Sequence, residues 1–222
     1  MPSPQNQAWW GNTARWDYTD IALSNGIWVD SRAYSSINAA VTAIGSSQKT
    51  LLVSSAQTLT ASLTIPATMT LRVTRGGSIA KASTYTLTIA GPVEAGSYTI
   101  FTGFADGNVS ITSATTVLPE WFGAVRDGAT NDAAAIQKAI TAGKRVYFSP
   151  GTYVIDNPNA TTAAIFTLHT DLEMFGSYPQ SIIKIKDSPT AYYSIFHKAS
   201  PVINNVNIHD LVIDHNAAND VA

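Results

Sequence analysis

The chain has 222 residues, enough for one large domain or two small ones, with 45% hydrophobic and only 13% charged positions. A net charge of −2 supplies no basic field for nucleic acid or anionic lipid, which argues against DNA or RNA binding. With no cysteine, a disulfide-stapled scaffold and a thiolate zinc site are both excluded.

The N-terminus, Met1 to Gln7, lacks a positive region and an apolar stretch, so no signal peptide is read there. No run approaches the roughly 18 apolar residues of a membrane span, so membrane insertion is not expected and synthesis in a host cytoplasm is. Residues 1–33 read as an aromatic arm. Trp9, Trp10, Trp16, Tyr18 and Trp28 follow neither a helical nor a strand period, and Pro2, Pro4, Gly11 and Gly26 break the segment. Large rigid rings concentrate at binding hot spots, which makes these five residues candidates for docking a particle or partner protein. The plainer alternative packs them onto the chain's own domain.

From Tyr34 the pattern changes, and residues 34–118 read as a β-rich helical module. Ser35-Ser36 precede Ile37, Ala40, Val41 and Ile44, one face of a short helix with a serine cap and Gly45 as its stop. Short runs rich in Thr and branched apolar residues follow: 50–53, 63–65, 71–73, 87–89 and 99–101. Many short strands between turns point to a sandwich, a barrel or a β-helix.

Residues 119–222 repeat the plan. Thr130-Asn131-Asp132 leads into Ala135, Ile136, Ala139 and Ile140, a second short helix stopped at Gly143. Strand-like runs return at 145–148, 153–155, 165–168, 172–174, 182–185, 206–208 and 211–213. Ile37 and Val41 align with Ile136 and Ile140 at one constant offset. Internal repetition is what a solenoid requires, because each coil covers the apolar face of its neighbour. A helix at the start of each copy would plug the coil stack and shield its strand edges.

Three motifs then occur in order: Pro119-Glu120-Trp121-Phe122-Gly123-Ala124, the run from Asp127 to Ile140, and Val146-Tyr147-Phe148-Ser149-Pro150-Gly151-Thr152-Tyr153. Together they resemble the opening of the pectate-lyase-like β-helix superfamily, which includes many phage tailspikes and capsule depolymerases. Asn131 stands where the first of two paired aspartates is usual. The stretch from Leu71 to Pro92 resembles a module found ahead of this opening in phage and prophage proteins. The resemblance implies a mainly β chain: a right-handed parallel β-helix with short capping helices, beginning near Arg145 and preceded by a smaller β-rich module and the arm.

No catalytic, metal or cofactor site is assigned. Asp127, Gly128, Thr130, Asn131 and Asp132 read as a helix-cap motif, since acidic side chains at a helix start accept free N–H bonds and face the positive dipole end. On one strand, Asp210 and Asp214 would lie about 13 Å apart at ~3.3 Å per residue. That is too far for a glycosidase pair, which needs about 5–5.5 or 6.5–9.5 Å. His169 and His197 show no metal-ligand spacing.

The expected function is that of a phage tailspike or tail-fibre structural protein. Its N-terminal region would attach a homotrimer to tail adaptor or baseplate proteins in the virion. Host surface polysaccharide would be met by coils after Ala222, where the chain is read as cut short. The alternative is a truncated polysaccharide lyase or glycoside hydrolase, a capsule or lipopolysaccharide depolymerase; a third is a β-helical adhesin without chemistry.

Overall fold

A computed structural model describes residues 27–156, 164–187, 194–198 and 202–216. Trp9, Trp10, Trp16 and Tyr18 lie outside these residues, as does the chain end. Ten strands form a first stack: β1 (Trp28–Asp30), β2 (Lys49–Val53), β3 (Ala56–Leu59), β4 (Leu63–Ile65), β5 (Met69–Val73), β6 (Ser78–Lys81), β7 (Leu87–Ile89), β8 (Val93–Glu94), β9 (Phe101–Thr102) and β10 (Val109–Ile111). Their sheet orders are β1-β2-β5-β8, β3-β6-β9 and β4-β7-β10. From β2 on, successive strands enter three different sheets in turn, and each pairs in parallel with the strand one coil later. This mainly β arrangement fits a β-helix.

The second stack contains β11 (Asp127–Asn131), β12 (Arg145–Phe148), β13 (Gly151–Ile155), β14 (Ala164–Leu168), β15 (Glu173–Gly176), β16 (Ser181–Ile185), β17 (Ser194–Lys198), β18 (Asn207–His209) and β19 (Val212–Asp214). The orders are β11-β13-β16-β19, β12-β15-β18 and β14-β17, again all parallel.

Side-chain alternation explains why such short segments suffice. In β4, Leu63 and Ile65 point inward and Thr64 outward; the next coils place Leu87 and Ile89, then Val109 and Ile111, in the same columns. Each coil thereby buries its neighbour's apolar face, and one continuous core runs through both stacks. The stacks are also joined through backbone. Val117 forms a parallel bridge with Val146, and the Ile100 N–H donates to the Trp121 carbonyl at 3.1 Å.

Helix α1 (Ile37–Ile44) is capped by the Ser36 hydroxyl, which accepts from the Ala39 N–H at 3.1 Å, and buries Ile37, Ala40, Val41 and Ile44. Helix α2 (Ala133–Ala142) buries Ala135, Ile136, Ala139, Ile140 and Ala142. It packs on β10 and β14 together, so it sits at the junction of the stacks, not on a free end.

The two copies match less closely than their helices do. β1 pairs with β2, the first strand after α1, whereas β11 passes over β12 and pairs with β13. β12 is an additional strand, and its neighbour on the first-stack side is Val117. The second stack also starts before Arg145, because β11 is already part of its sheet. Trp28, counted above with the arm, belongs to β1 and carries the Arg72 guanidinium 4.8 Å above its ring.

One further equivalence follows the helix offset. Asn38 on α1 donates to the Ala61 carbonyl at 3.2 Å and accepts from the Thr60 N–H at 3.1 Å. Gln137, its counterpart on α2, donates to the Thr167 carbonyl at 3.3 Å and accepts from the Thr167 N–H at 2.8 Å. Each amide imitates a strand neighbour and satisfies backbone groups that the helix leaves without one. Asn38→Ala and Gln137→Ala are each expected to cost about 1 kcal/mol, and the double variant about twice that, as read by urea denaturation.

Candidate functional site

Two places gather polar chemistry: the junction where the motifs from Pro119 to Tyr153 meet, and the outer face of the sheet β12-β15-β18. At the junction, a 3-10 turn (Pro119–Phe122) buries Glu120 between the stacks. Its Oε1 accepts from Arg126 Nε at 2.9 Å and from the Tyr153 hydroxyl at 2.9 Å, while its Oε2 has no partner among the described residues. Arg126 also donates to the Pro150 carbonyl at 2.7 Å. Burial and the adjacent Glu120 carboxylate push the Tyr153 hydroxyl up from its ordinary value, so it stays protonated and donates.

The predicted cap motif is resolved into separate tasks. Asp127 accepts from the Ala129 and Thr130 N–H groups and from the Thr130 hydroxyl, which holds its exposed carboxyl below the usual range. Gly128 takes φ +76° in that turn, a conformation that favours glycine. Asn131 donates to the Asp156 carbonyl at 3.1 Å and accepts from the N–H groups of Asp156 and Ala133. An aspartate there could accept but not donate, which gives asparagine a physical reason at this position.

Asp132 occupies the N-cap position yet makes no side-chain bond to the helix. It turns back to accept from the Val125 and Arg126 N–H groups at 2.8 and 2.9 Å. Desolvation pushes its carboxyl up, against the pull of those two N–H groups. The cap expectation is therefore corrected for this residue: Asp132 closes the loop before β11, and Asn131 serves the first turn of α2. Asp127, Gly128 and Thr130 form a turn within β11, and the Asp127 carboxylate is spent on that turn's own donors.

On the outer face of β12-β15-β18 the register brings Arg145, Glu173 and Asn207 into one column and Tyr147, Phe175 and His209 into the next. Glu173 pairs with Arg145 through one oxygen and with His209 Nε2 through the other, the latter at 3.2 Å. Asp210 faces His209 Nδ1 at 2.8 Å. Tyr147 and Phe175 are 5.3 Å apart, Phe175 and His209 stack at 5.6 Å, and the Arg145 guanidinium lies 5.3 Å from the Phe175 centroid. The faces of Phe175 are thus taken up by its own neighbours.

Arg145 first, and then His209, holds the Glu173 carboxyl below the usual range. A general acid needs the opposite shift. Asp210 and Asp214 do not share a strand: Asp210 lies at φ +54° in the turn between β18 and β19, and Asp214 accepts from the Asn216 N–H at 2.8 Å. His169 puts Nε2 2.9 Å from the Ile140 carbonyl at the end of α2. It lines a cleft of about 650 Å³ with Asp106, Gln137, Thr141 and Thr167, where Gln137 is already committed to the Thr167 backbone. Among the described residues, no group of three His, Asp or Glu side chains could hold a metal ion.

The sequence reading missed Glu120, whose signal was an acid embedded among Trp121, Phe122 and Pro119. It also missed the joining of Arg145, Glu173 and His209, one coil apart each. Residues 120–219 match the family model described as rhamnogalacturonase A/epimerase, pectate lyase-like, consistent with the pectate-lyase-like superfamily. No curated protein and no solved structure matches the chain.

Proposed function

We propose that the chain is a polysaccharide-related β-helix segment and, more specifically, the particle-proximal region of a phage tailspike. The observation that carries this reading is the coincidence of two things: the family match begins at Glu120, and the parallel coils before it run into the matched stretch through one core. In this reading a homotrimer in the virion tail presents host surface polysaccharide-binding coils, and residues 1–33 dock to adaptor or baseplate proteins. Trp9, Trp10, Trp16 and Tyr18 supply the docking rings. Trp28 anchors the arm to the first sheet through β1 and Arg72.

The chain itself carries no polysaccharide chemistry in this reading. Glu173 and Asp210 are engaged as described, and Arg145 and His209 hold the Glu173 carboxyl in the direction opposite to a proton donor's. Two measurements test the proposal. Deleting residues 1–26, which precede β1, is expected to leave the circular dichroism of the coils unchanged and to abolish incorporation into tails; normal incorporation of the truncated protein removes the docking role. Incubation of the chain with capsule or lipopolysaccharide is expected to release no oligosaccharide. Cleavage abolished by Glu173→Gln or Asp210→Asn would instead establish the depolymerase alternative.

A further inference from the structure

The coil from residue 202 to 216, the last described coil of the second stack, is joined to the coil beneath it partly through groups whose charge depends on pH. β18 and β19 are three residues each, and Ile203, Val206, Ile208 and Leu211 of this coil pack, partly buried, against the core. Asn216 donates to the Ile185 carbonyl at 3.1 Å and to Asp187 at 2.6 Å, and the Asn204 N–H donates to the Thr170 hydroxyl at 3.4 Å. Asn205 donates to Asp171 at 3.0 Å, and Asp171 is in turn paired with Lys144 at 3.1 Å. His209 sits between Glu173 of β15 and Asp210 of its own turn, with its ring against Phe175.

We propose that His209 is a proton-operated latch that holds the coil from residue 202 to 216 against the coil beneath it. The geometry carries the inference. Both ring nitrogens face carboxylate oxygens, which accept and cannot donate, so both bonds exist together only when each nitrogen bears a hydrogen. That species is the imidazolium. Loss of one proton turns one nitrogen's lone pair toward a carboxylate, and either the Glu173 contact to the lower coil or the Asp210 contact must open.

Among the described residues, the charged groups facing the ring are Glu173 from β15, Arg145 from β12 through Glu173, and Asp210 from the turn. Asp210 first, then Glu173, raises the His209 pKa above its ordinary value. Fastening is therefore complete below the ordinary histidine range and is lost as pH rises through the raised value. Glu173 is displaced downward, so the latch opens a second time only when pH falls through that depressed value. Between the two lies an acid-to-neutral window in which the coil is closed.

Amide hydrogen exchange on the whole chain tests it, followed as protection factors for residues 207–214 against pH. Wild-type protection is expected to fall roughly two- to fivefold as pH rises through the titration of His209, the size of an exposed charge pair, while residues 151–155 of β13, which pair with β11 and β16 and not with this coil, stay constant. His209→Gln is expected to give a flat profile at the lower level. The imidazole titration followed by NMR should shift downward in both Glu173→Gln and Asp210→Asn; asparagine keeps the positive φ of position 210 accessible. A wild-type profile without pH dependence, the same dependence in His209→Gln, or a His209 titration unmoved by both carboxylate variants would each overturn the latch.

Discussion

Alanine at position 91 is expected to destabilise the first stack severely, although it adds a single methyl group. A Cβ on Gly91 would lie 1.9 Å from the Met69 carbonyl oxygen and 2.9 Å from that of Pro66. Both are backbone atoms of the coil beneath, so no side-chain rotation can relieve the contact. The surrounding backbone is fixed as well: Ala90 donates to Ile65 at 2.9 Å and Leu71 to Pro92 at 2.9 Å. Opening the gap means breaking coil-to-coil hydrogen bonds, so the cost should reach at least about 3 kcal/mol, the upper range of overpacking. Gly77, at the corner between β5 and β6, has the same close approach, with its Cβ 2.2 Å from the Val53 carbonyl oxygen. Against a net stability of about 5–15 kcal/mol, the pair Gly77→Ala/Gly91→Ala should leave no cooperative transition in guanidinium. Gly103→Ala is the control. That glycine has φ +71° and open space around its Cβ, so only the backbone penalty of about 1 kcal/mol applies. Equal losses at positions 91 and 103 would show that close approach between coils is not what selects glycine here.

Both of these inter-coil glycines lie in stretches whose pattern suggested a stacked module, yet their reason could not be read from the sequence. Periodicity found what one segment decides for itself. The helices at 37–44 and 133–142 follow from apolar spacing within a few residues, and strands such as Leu63–Ile65 from their alternation. It missed strands that exist because a neighbouring coil offers a partner. Asp127–Asn131 is exposed throughout, and Ala56–Leu59 carries one buried side chain; both are strands by pairing alone.

The same distinction governs the candidate site. A carboxylate before a helix reads as a cap, but Asp132 had a competing pair of N–H donors in the loop at Val125 and Arg126, and the loop won. Arg145 and Glu173 meet because they share one outward column a coil apart, and His209, one coil further on, reaches Glu173 from the adjacent column. The coil length, once known, turns such distant residues into neighbours. Without it they were scattered charges.

Removing the Glu120 carboxylate is expected to be the most damaging single change at the junction. Glu120 is almost fully buried, as is Tyr153, whereas Arg126 remains about a third exposed. Glu120→Ala would strip the Arg126 guanidinium of its anion and the Tyr153 hydroxyl of its shorter acceptor, leaving only the Pro150 and Ser149 carbonyls. Breaking one side of a buried ion pair costs about 3–5 kcal/mol, and partial exposure of Arg126 places the expectation at about 3 kcal/mol. Tyr153→Phe removes one neutral donor and should cost about 1 kcal/mol. The two effects should not add, since both act on Oε1. In a double-mutant cycle Glu120→Ala/Tyr153→Phe should cost less than the sum of the single changes. The consequence reaches beyond the pocket, because the turn that carries Glu120 also carries Trp121, whose carbonyl receives Ile100 and whose indole donates to Gly96 at 3.0 Å. Exchange at the Ile100 amide should rise in Glu120→Ala while that at Leu71 is unchanged. A loss below about 1 kcal/mol, with additive single effects, would mean that the first stack is held to the second by its apolar core and not by this carboxylate.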